Sequence, residues 1–185
     1  AIDVGQGDSW LVRDGTGLSL LIDGGGSDPR YSSFDVGSRI TVPYLQRRAL
    51  ARVHGVINTH PHLDHIGGLL TVVETIPVKV VVDNGNPGNA PAAWRLRQGA
   101  TRWGAQPLTV SPGQRVQIRT QKSTVTVWRP APEGTVNDND LSLVTKIQSG
   151  PWSFLLTGDL ERAGIEALLN TSGVDLSADV LQIPH

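Results

Sequence analysis

Short runs of apolar residues, spaced as strands and then as amphipathic helices, set the outline of this chain. Trp10 to Arg13 reads as a strand and Leu18 to Ile22 as its return, with the hairpin signal Asp14-Gly15-Thr16-Gly17 between them. Asp23-Gly24-Gly25-Gly26 ends the second strand, and a polar loop without periodicity fills Ser27 to Ser38. From Arg39 to Leu50 the apolar positions Ile40, Val42, Tyr44, Leu45 and Leu50 suit a short helix on a sheet, with Pro43 near its start. Val53 to Asn58 is a further strand, interrupted by His54, which reads as an exposed or hydrogen-bonded histidine. Ile66 to Ile76 has a broad apolar side and stops at Pro77, as a helix does.

The second half repeats these signals in a different order. Val78 to Val82 is a buried-type strand, Asn84 to Pro91 a loop, and Ala92 to Trp103 a helix. Leu108 to Pro130 alternates in the β manner through Val116, Ile118 and Thr124 to Trp128. Leu141 to Ile147 and Trp152 to Leu156 form a hairpin, Glu161 to Leu169 a helix, and Asp179 to Ile183 a last strand. Strands, a strand-helix series, then strands with a closing helix predict an α/β fold of two sheets with helices outside.

Composition narrows the chemistry. At 185 residues the chain is one domain with room for a sizeable core, and a net charge of −1 gives no global pull toward polyanions. It has no cysteine, which excludes disulfides, thiolate nucleophiles and thiolate ligands. No apolar run reaches transmembrane length. Ala1-Ile2-Asp3 opens inside what reads as a strand and His185 closes another, so a domain excised from a longer protein is expected.

The densest chemistry lies in Thr59-His60-Pro61-His62-Leu63-Asp64-His65-Ile66-Gly67-Gly68. Imidazole and carboxylate donors at this spacing suit first-row divalent ions. In a tight turn leaving a strand, His60 and His62 point one way while Asp64 and His65 turn toward a second position. Gly67-Gly68 is expected to let the backbone pass beneath the ions before the next helix. Asp23, at a strand end beside three glycines, reads either as a turn cap or as a site residue. Trp94, Arg95, Arg97, Arg102 and Trp103 read as a half-buried helix with a basic face, or as a surface that stacks bases and holds phosphates.

Taken together, these residues resemble the metallo-β-lactamase superfamily, and within it the hydrolase-like domain of ComEC-type DNA-internalisation proteins. The carrying motifs are Asp3-Val4-Gly5-Gln6-Gly7-Asp8, Ile22-Asp23-Gly24-Gly25, Val42-Pro43-Tyr44-Leu45 and the histidine cluster. Asn139-Asp140-Leu141-Ser142-Leu143-Val144, Leu156-Thr157-Gly158-Asp159 and Leu181-Gln182-Ile183-Pro184-His185 complete them. The resemblance implies an αββα sandwich of two mixed sheets, truncated at both ends, and two divalent ions, manganese or zinc. His60 and His62 would hold one ion, Asp64, His65 and either His185 or the second histidine that follows it in relatives the other, with Asp159 bridging. Asp64 and Asp159 would be catalytic, Asp64 also taking a proton from water. Asp23 and Asp8 would orient ligands, and Asn139, Asp140 and Ser142 would line the substrate side.

Many relatives carry another histidine between the cluster and the strand-end aspartate, whereas this sequence has none from Ile66 to Pro184. One metal position is therefore short of a protein ligand. The implied function is a metal-dependent nuclease of natural transformation that degrades one strand of incoming DNA and meets single-stranded DNA as substrate. It would be the extracytoplasmic, soluble part of a membrane protein, partnered by the channel portion of the same polypeptide and by other DNA-uptake proteins. Two alternatives stand beside it: a free-standing hydrolase of small phosphodiesters or choline-bearing esters, and a non-catalytic metal- or DNA-binding module.

Overall fold

A computed structural model describes residues 1–86, 88, 90–134 and 136–184. The described residues build two five-stranded sheets. The first has the order β1-β2-β3-β4-β5, from Trp10–Arg13, Ser19–Ile22, Val53–Ile57, Val78–Asp83 and Gln106–Thr109. β1 and β2 are the antiparallel hairpin; the other neighbours run parallel. The second sheet has the order β10-β9-β8-β7-β6. Its strands are Arg115–Arg119 (β6), Ser123–Trp128 (β7), Val144–Ser149 (β8), Trp152–Leu156 (β9) and Val180–Leu181 (β10). All its pairs are antiparallel except β10 with β9, so both sheets are mixed.

Alternation along each strand sorts side chains into layers. Leu21, Val56 and Val81 face outward onto helices α1 (Val42–Arg47), α2 (Leu63–Thr75) and α3 (Ala90–Thr101). Their neighbours Leu20, Ile22, Ile57 and Val82 face inward and meet Val125, Val127, Ile147 and Leu156 of the second sheet. Trp128, Val144 and Leu155 pack under α4 (Arg162–Leu169) through Leu160 and Leu168. The result is the expected αββα sandwich. Among the described residues no helix is long and apolar enough to cross a membrane.

Several boundaries depart from the sequence reading, three of them with a clear local cause. α2 starts at Leu63, not Ile66, because extended His62 caps it and its carbonyl accepts the Ile66 N–H at 2.9 Å. Asp64 and His65 therefore sit in a helical first turn, not in the preceding loop. α3 begins at Ala90 because Pro91 is tolerated in a first turn, where its missing N–H has no helical partner anyway. The strand expected from Leu141 is first a turn of 3₁₀ helix, Asn139–Leu141; the Leu143 N–H then crosses to the Thr59 carbonyl at 3.0 Å, and β8 starts at Val144.

Candidate metal centre

The site lies where the parallel strands end, the usual place for function in such sheets. β2 delivers Asp23 with φ 54°, a conformation that costs a residue with a side chain about 1 to 3 kcal/mol. Three hydrogen bonds offset that cost. The buried carboxylate accepts the Thr59 N–H at 2.8 Å, the Thr59 hydroxyl at 2.6 Å and His65 Nδ1 at 2.9 Å. A carboxylate can only accept from an imidazole, so Nδ1 of His65 carries the proton and Nε2 is the ligand atom. The Thr59 hydroxyl has spent its proton on Asp23, so at 3.0 Å from His60 Nδ1 it accepts there. One carboxylate thus sets both tautomers, directly for His65 and through Thr59 for His60.

Helix α2 is held against the glycine loop that follows Asp23. The Gly24 N–H donates to the His65 carbonyl at 2.8 Å, and the Gly68 N–H donates to Gly25 at 2.7 Å. A Cβ on Gly68 would stand 2.0 Å from the Gly24 oxygen. Gly67-Gly68 therefore seats the helix on this loop. On the other side Gly7 closes onto Asp64, where a Cβ would lie 1.8 Å from the backbone oxygen.

His60, His65 and Asp159 converge in the buried interior, with ligand atoms all within 4.8 Å of one another. Asp159 Oδ2, just beyond β9, lies 3.2 Å from His65 Nε2 and 3.9 Å from His60 Nε2. Burial and then the neighbouring His65 push the His60 imidazole down to about 4, so it stays neutral. For His65 burial also opposes the charge, but hydrogen bonds to Asp159 and Asp23 outweigh it and raise the group to about 11. His60 Nε2 is fully buried and has no hydrogen-bond partner among the described residues. Such a nitrogen costs about 1 to 3 kcal/mol unless something accepts its lone pair. Neutral His60 with its fixed tautomer, His65 once an ion displaces its Nε2 proton, and one carboxylate are a donor set that fits a divalent first-row ion.

His62 and Asp64 face elsewhere. They line an open cleft of about 320 Å³ with Gln6, Asp28, Arg30 and Asp138. The His62 ring meets His60 edge-on at 4.7 Å, and its Nε2 lies 3.8 Å from Asp138 Oδ2. Asp8 accepts from Gln182 Nε2 at 2.9 Å; burial, then the charge of Asp23, raises its carboxyl above the usual range. None of the expected substrate-side residues lines the cleft. Asn139 donates to Glu161, Asp140 accepts the Gly164 N–H of α4 at 2.8 Å, and Ser142 is fully buried beside Gly158. His185 falls outside the described residues.

Sequence reasoning assigned no role to Thr59, Gln182 or Asp138. Thr59 was legible as a polar residue leading into the cluster from a strand end. Gln182, whose Oε1 accepts the Thr157 N–H at 2.7 Å, and Asp138 reach the site only through tertiary folding.

The family profile for the metallo-beta-lactamase superfamily matches residues 2–182, and the chain belongs to that superfamily. All of the chain aligns with "ComE operon protein 3" of Bacillus subtilis at 30% identity, covering 24% of that protein. "Competence protein ComA" of Neisseria gonorrhoeae is 28% identical over 99% of the chain and 23% of its own length. The chain thus spans about a quarter of these curated relatives and is similar to ComEC-type competence proteins. Zn(2+)-bound PqqB from Methylobacterium extorquens shares the fold, with TM-score 0.58 and 16% identity over 94% of this chain and 58% of that one.

Proposed function

We propose that the chain is a metal-dependent phosphodiester hydrolase that cleaves one strand of incoming DNA, as the nuclease domain of a DNA-uptake protein. The observation that carries this reading is the joining of two environments. A buried, pre-oriented His60–His65–Asp159 set lies against His62, and His62 opens on the cleft that Asp64 and Arg30 also line. The similarity to competence proteins supports DNA as the substrate.

His60, His65 and Asp159 would hold a manganese or zinc ion, and His62 would face a second. A divalent ion supplies Lewis acidity toward a phosphoryl oxygen and makes water acidic enough to attack near neutral pH. Asp64, on the cleft wall, would accept the proton of the attacking water. Arg30, held by Asp28 with Nε 2.9 Å from Oδ2, offers a guanidinium to the phosphodiester. In this reading the domain belongs to a membrane channel protein, works on its extracytoplasmic side beside other DNA-uptake proteins, and hands the intact strand to the channel.

The test is cleavage of end-labelled single-stranded DNA with added manganese, beside the Asp64→Ala variant. Cleavage by the unaltered chain and its loss in the variant is the expected result. Intact DNA from protein shown to hold metal would overturn the nuclease and leave a smaller ester as substrate.

A further inference from the structure

The cleft beside the metal centre does not end at His62. A second cleft of about 260 Å³ shares Ser27 and Leu63 with it and runs on along α2, where Leu63, Gly67, Leu70 and Thr71 recur at the spacing of one helix face. Its other wall is the loop from Ser27 to Asp35, and Arg95 of α3 also lines it. Hydrogen bonds hold that loop in shape. The Ser27 hydroxyl donates to the Phe34 carbonyl at 3.0 Å and closes the neck, the Tyr31 and Ser32 N–H groups donate to the Asp28 carbonyl at 2.9 and 3.0 Å, and the Thr71 hydroxyl ties Asp35 to α2 at 3.1 Å. The ordered loop nonetheless turns two rings to solvent, Tyr31 at 84% exposure and Phe34 at 50%. Single exposed rings are ordinary; two on one ordered loop, beside a cleft that leads to the metal centre, mark a binding surface. Arg30, which lines the metal cleft, backs the first ring. Its guanidinium carbon stands 5.5 Å from the Tyr31 centroid, within cation–π range, while Asp28 holds its Nε at 2.9 Å.

We propose that Tyr31 and Phe34 form a stacking subsite for the bases of single-stranded DNA, on a path that leaves the metal centre past Arg30 and follows α2 to Arg95. The inference rests on the nuclease reading above and deepens it, by naming what selects the strand. An aromatic ring binds any unpaired base through its π-face, whereas the bases of a duplex are stacked on one another and present only their edges. The charges beside the rings favour the same occupant. Arg30 and Arg95 are each already paired with a carboxylate, Asp28 and Glu74. Of the remaining tryptophan- and arginine-rich stretch of α3, Arg97 is spent on Asp83 and Trp103 on the Val73 carbonyl. The path is therefore no basic channel. That balance is wrong for a duplex, whose binding rests on phosphate neutralisation, and right for unpaired bases held by stacking.

The experiment measures binding of a fluorescein-labelled oligothymidylate, about a dozen nucleotides long, by anisotropy, with a chelator present so that no cleavage intervenes. The unaltered chain binds it and prefers it at least about tenfold to a duplex of the same length. Tyr31→Ala and Phe34→Ala each weaken binding by at least about fivefold. Tyr31→Leu loses as much while Tyr31→Phe keeps the affinity, a split that a merely apolar or structural contact would not give. The loss in Tyr31→Ala is the same at low and high salt. Arg30→Ala instead lowers the slope of log affinity against log salt by about 0.7, the value of one phosphate contact on a single strand. Circular dichroism shows whether each variant is folded. No binding by the unaltered chain overturns the subsite, as does a duplex bound as tightly as the single strand. Equal affinity in the folded double variant Tyr31→Ala/Phe34→Ala also overturns it and leaves the rings for a protein partner. Because binding is read without metal, a chain whose rings hold the strand but which never cleaves it with manganese removes the nuclease reading and keeps the subsite. Cleavage by a chain whose ring variants bind unchanged does the reverse.

Discussion

Asp23 and Asp83 close two strands of the same sheet at the same level. Ile22, Ile57 and Val82 are in register, so the two aspartates flank the exit of β3, each one residue beyond. Both follow an apolar run and precede a glycine-containing turn. Their surroundings part them. Asp23 turns inward at φ 54° and accepts from Thr59 and His65. Asp83 is met by Arg97, whose Nε and terminal nitrogen donate at 2.8 and 2.7 Å, and by the Thr109 hydroxyl at 3.0 Å. One carboxylate spends its charge on a ligand; the other spends it on fastening α3 and β5 to β4. A strand-end aspartate acquires its function from the donor that faces it, not from its local motif.

The strongest way to break this contrast is to remove each carboxylate in turn. Asp23→Ala leaves a buried imidazolium and the Thr59 donors without their acceptor. Loss of one member of a buried charged pair costs about 3 to 5 kcal/mol. Loss of the group that orients a metal histidine lowers metal affinity by about 10- to 100-fold. Asp83→Ala releases the partly exposed Arg97 to water, costs about 1 to 2 kcal/mol, and leaves manganese affinity unchanged. Urea unfolding and calorimetric titration of both variants read the two quantities separately. Equal losses of metal affinity would show that the ends act as one unit.

The sequence distinguishes these two aspartates poorly, and the reason is physical. Periodicity reports which side of an element is apolar, so the layers, the hairpin of β1 and β2 and the helix stop at Pro77 were legible. So was the histidine cluster, since that density of donors has few other uses. Partner identity depends on folding: Arg97 approaches Asp83 from α3, and Asp138 approaches His62 from a loop with no periodicity of its own. Asp140 illustrates the converse. It stands in a motif expected on the substrate side, yet its carboxylate accepts the Gly164 N–H and serves α4. The late start assigned to α2 has a local cause: an extended His62 caps a helix whose first turn the polar Asp64 and His65 disguise.

A second, smaller effect sharpens the contrast through pH. His60, on the Asp23 side, is held neutral with its pKa lowered from 6.5 to about 4, first by burial and then by the charge of His65. The unfolded chain therefore binds a proton there that the folded chain refuses between about pH 6.5 and 4. Stability from this group is complete above pH 6.5 and falls by about 3 kcal/mol as pH drops through that window. Urea midpoints measured in the presence of a chelator should show this limb, and His60→Gln should flatten it. Arg97→Gln should leave the limb in place, because Arg97 stays charged throughout and its pKa is raised further by the hydrogen bond to Asp83. A limb that survives His60→Gln would assign the window to another group.

The smallest change separates the relay from its terminus. Thr59→Val keeps the shape of the side chain and removes only the hydroxyl, whose loss costs about 1 kcal/mol. Asp23 retains the Thr59 N–H and His65, so the His65 ring keeps its Nδ1 proton. His60 Nδ1 loses the oxygen 3.0 Å away that fixed its tautomer. Nitrogen-15 NMR of the imidazoles should then report a mixture of tautomers at His60, while His65 keeps its proton on Nδ1. Thr109→Val is the matched control at the other strand end. It removes a hydroxyl from Asp83 at comparable cost and leaves both ring spectra untouched. An unchanged His60 ring in Thr59→Val would mean that the buried pocket alone orients it, and would reduce the reach of Asp23 to His65.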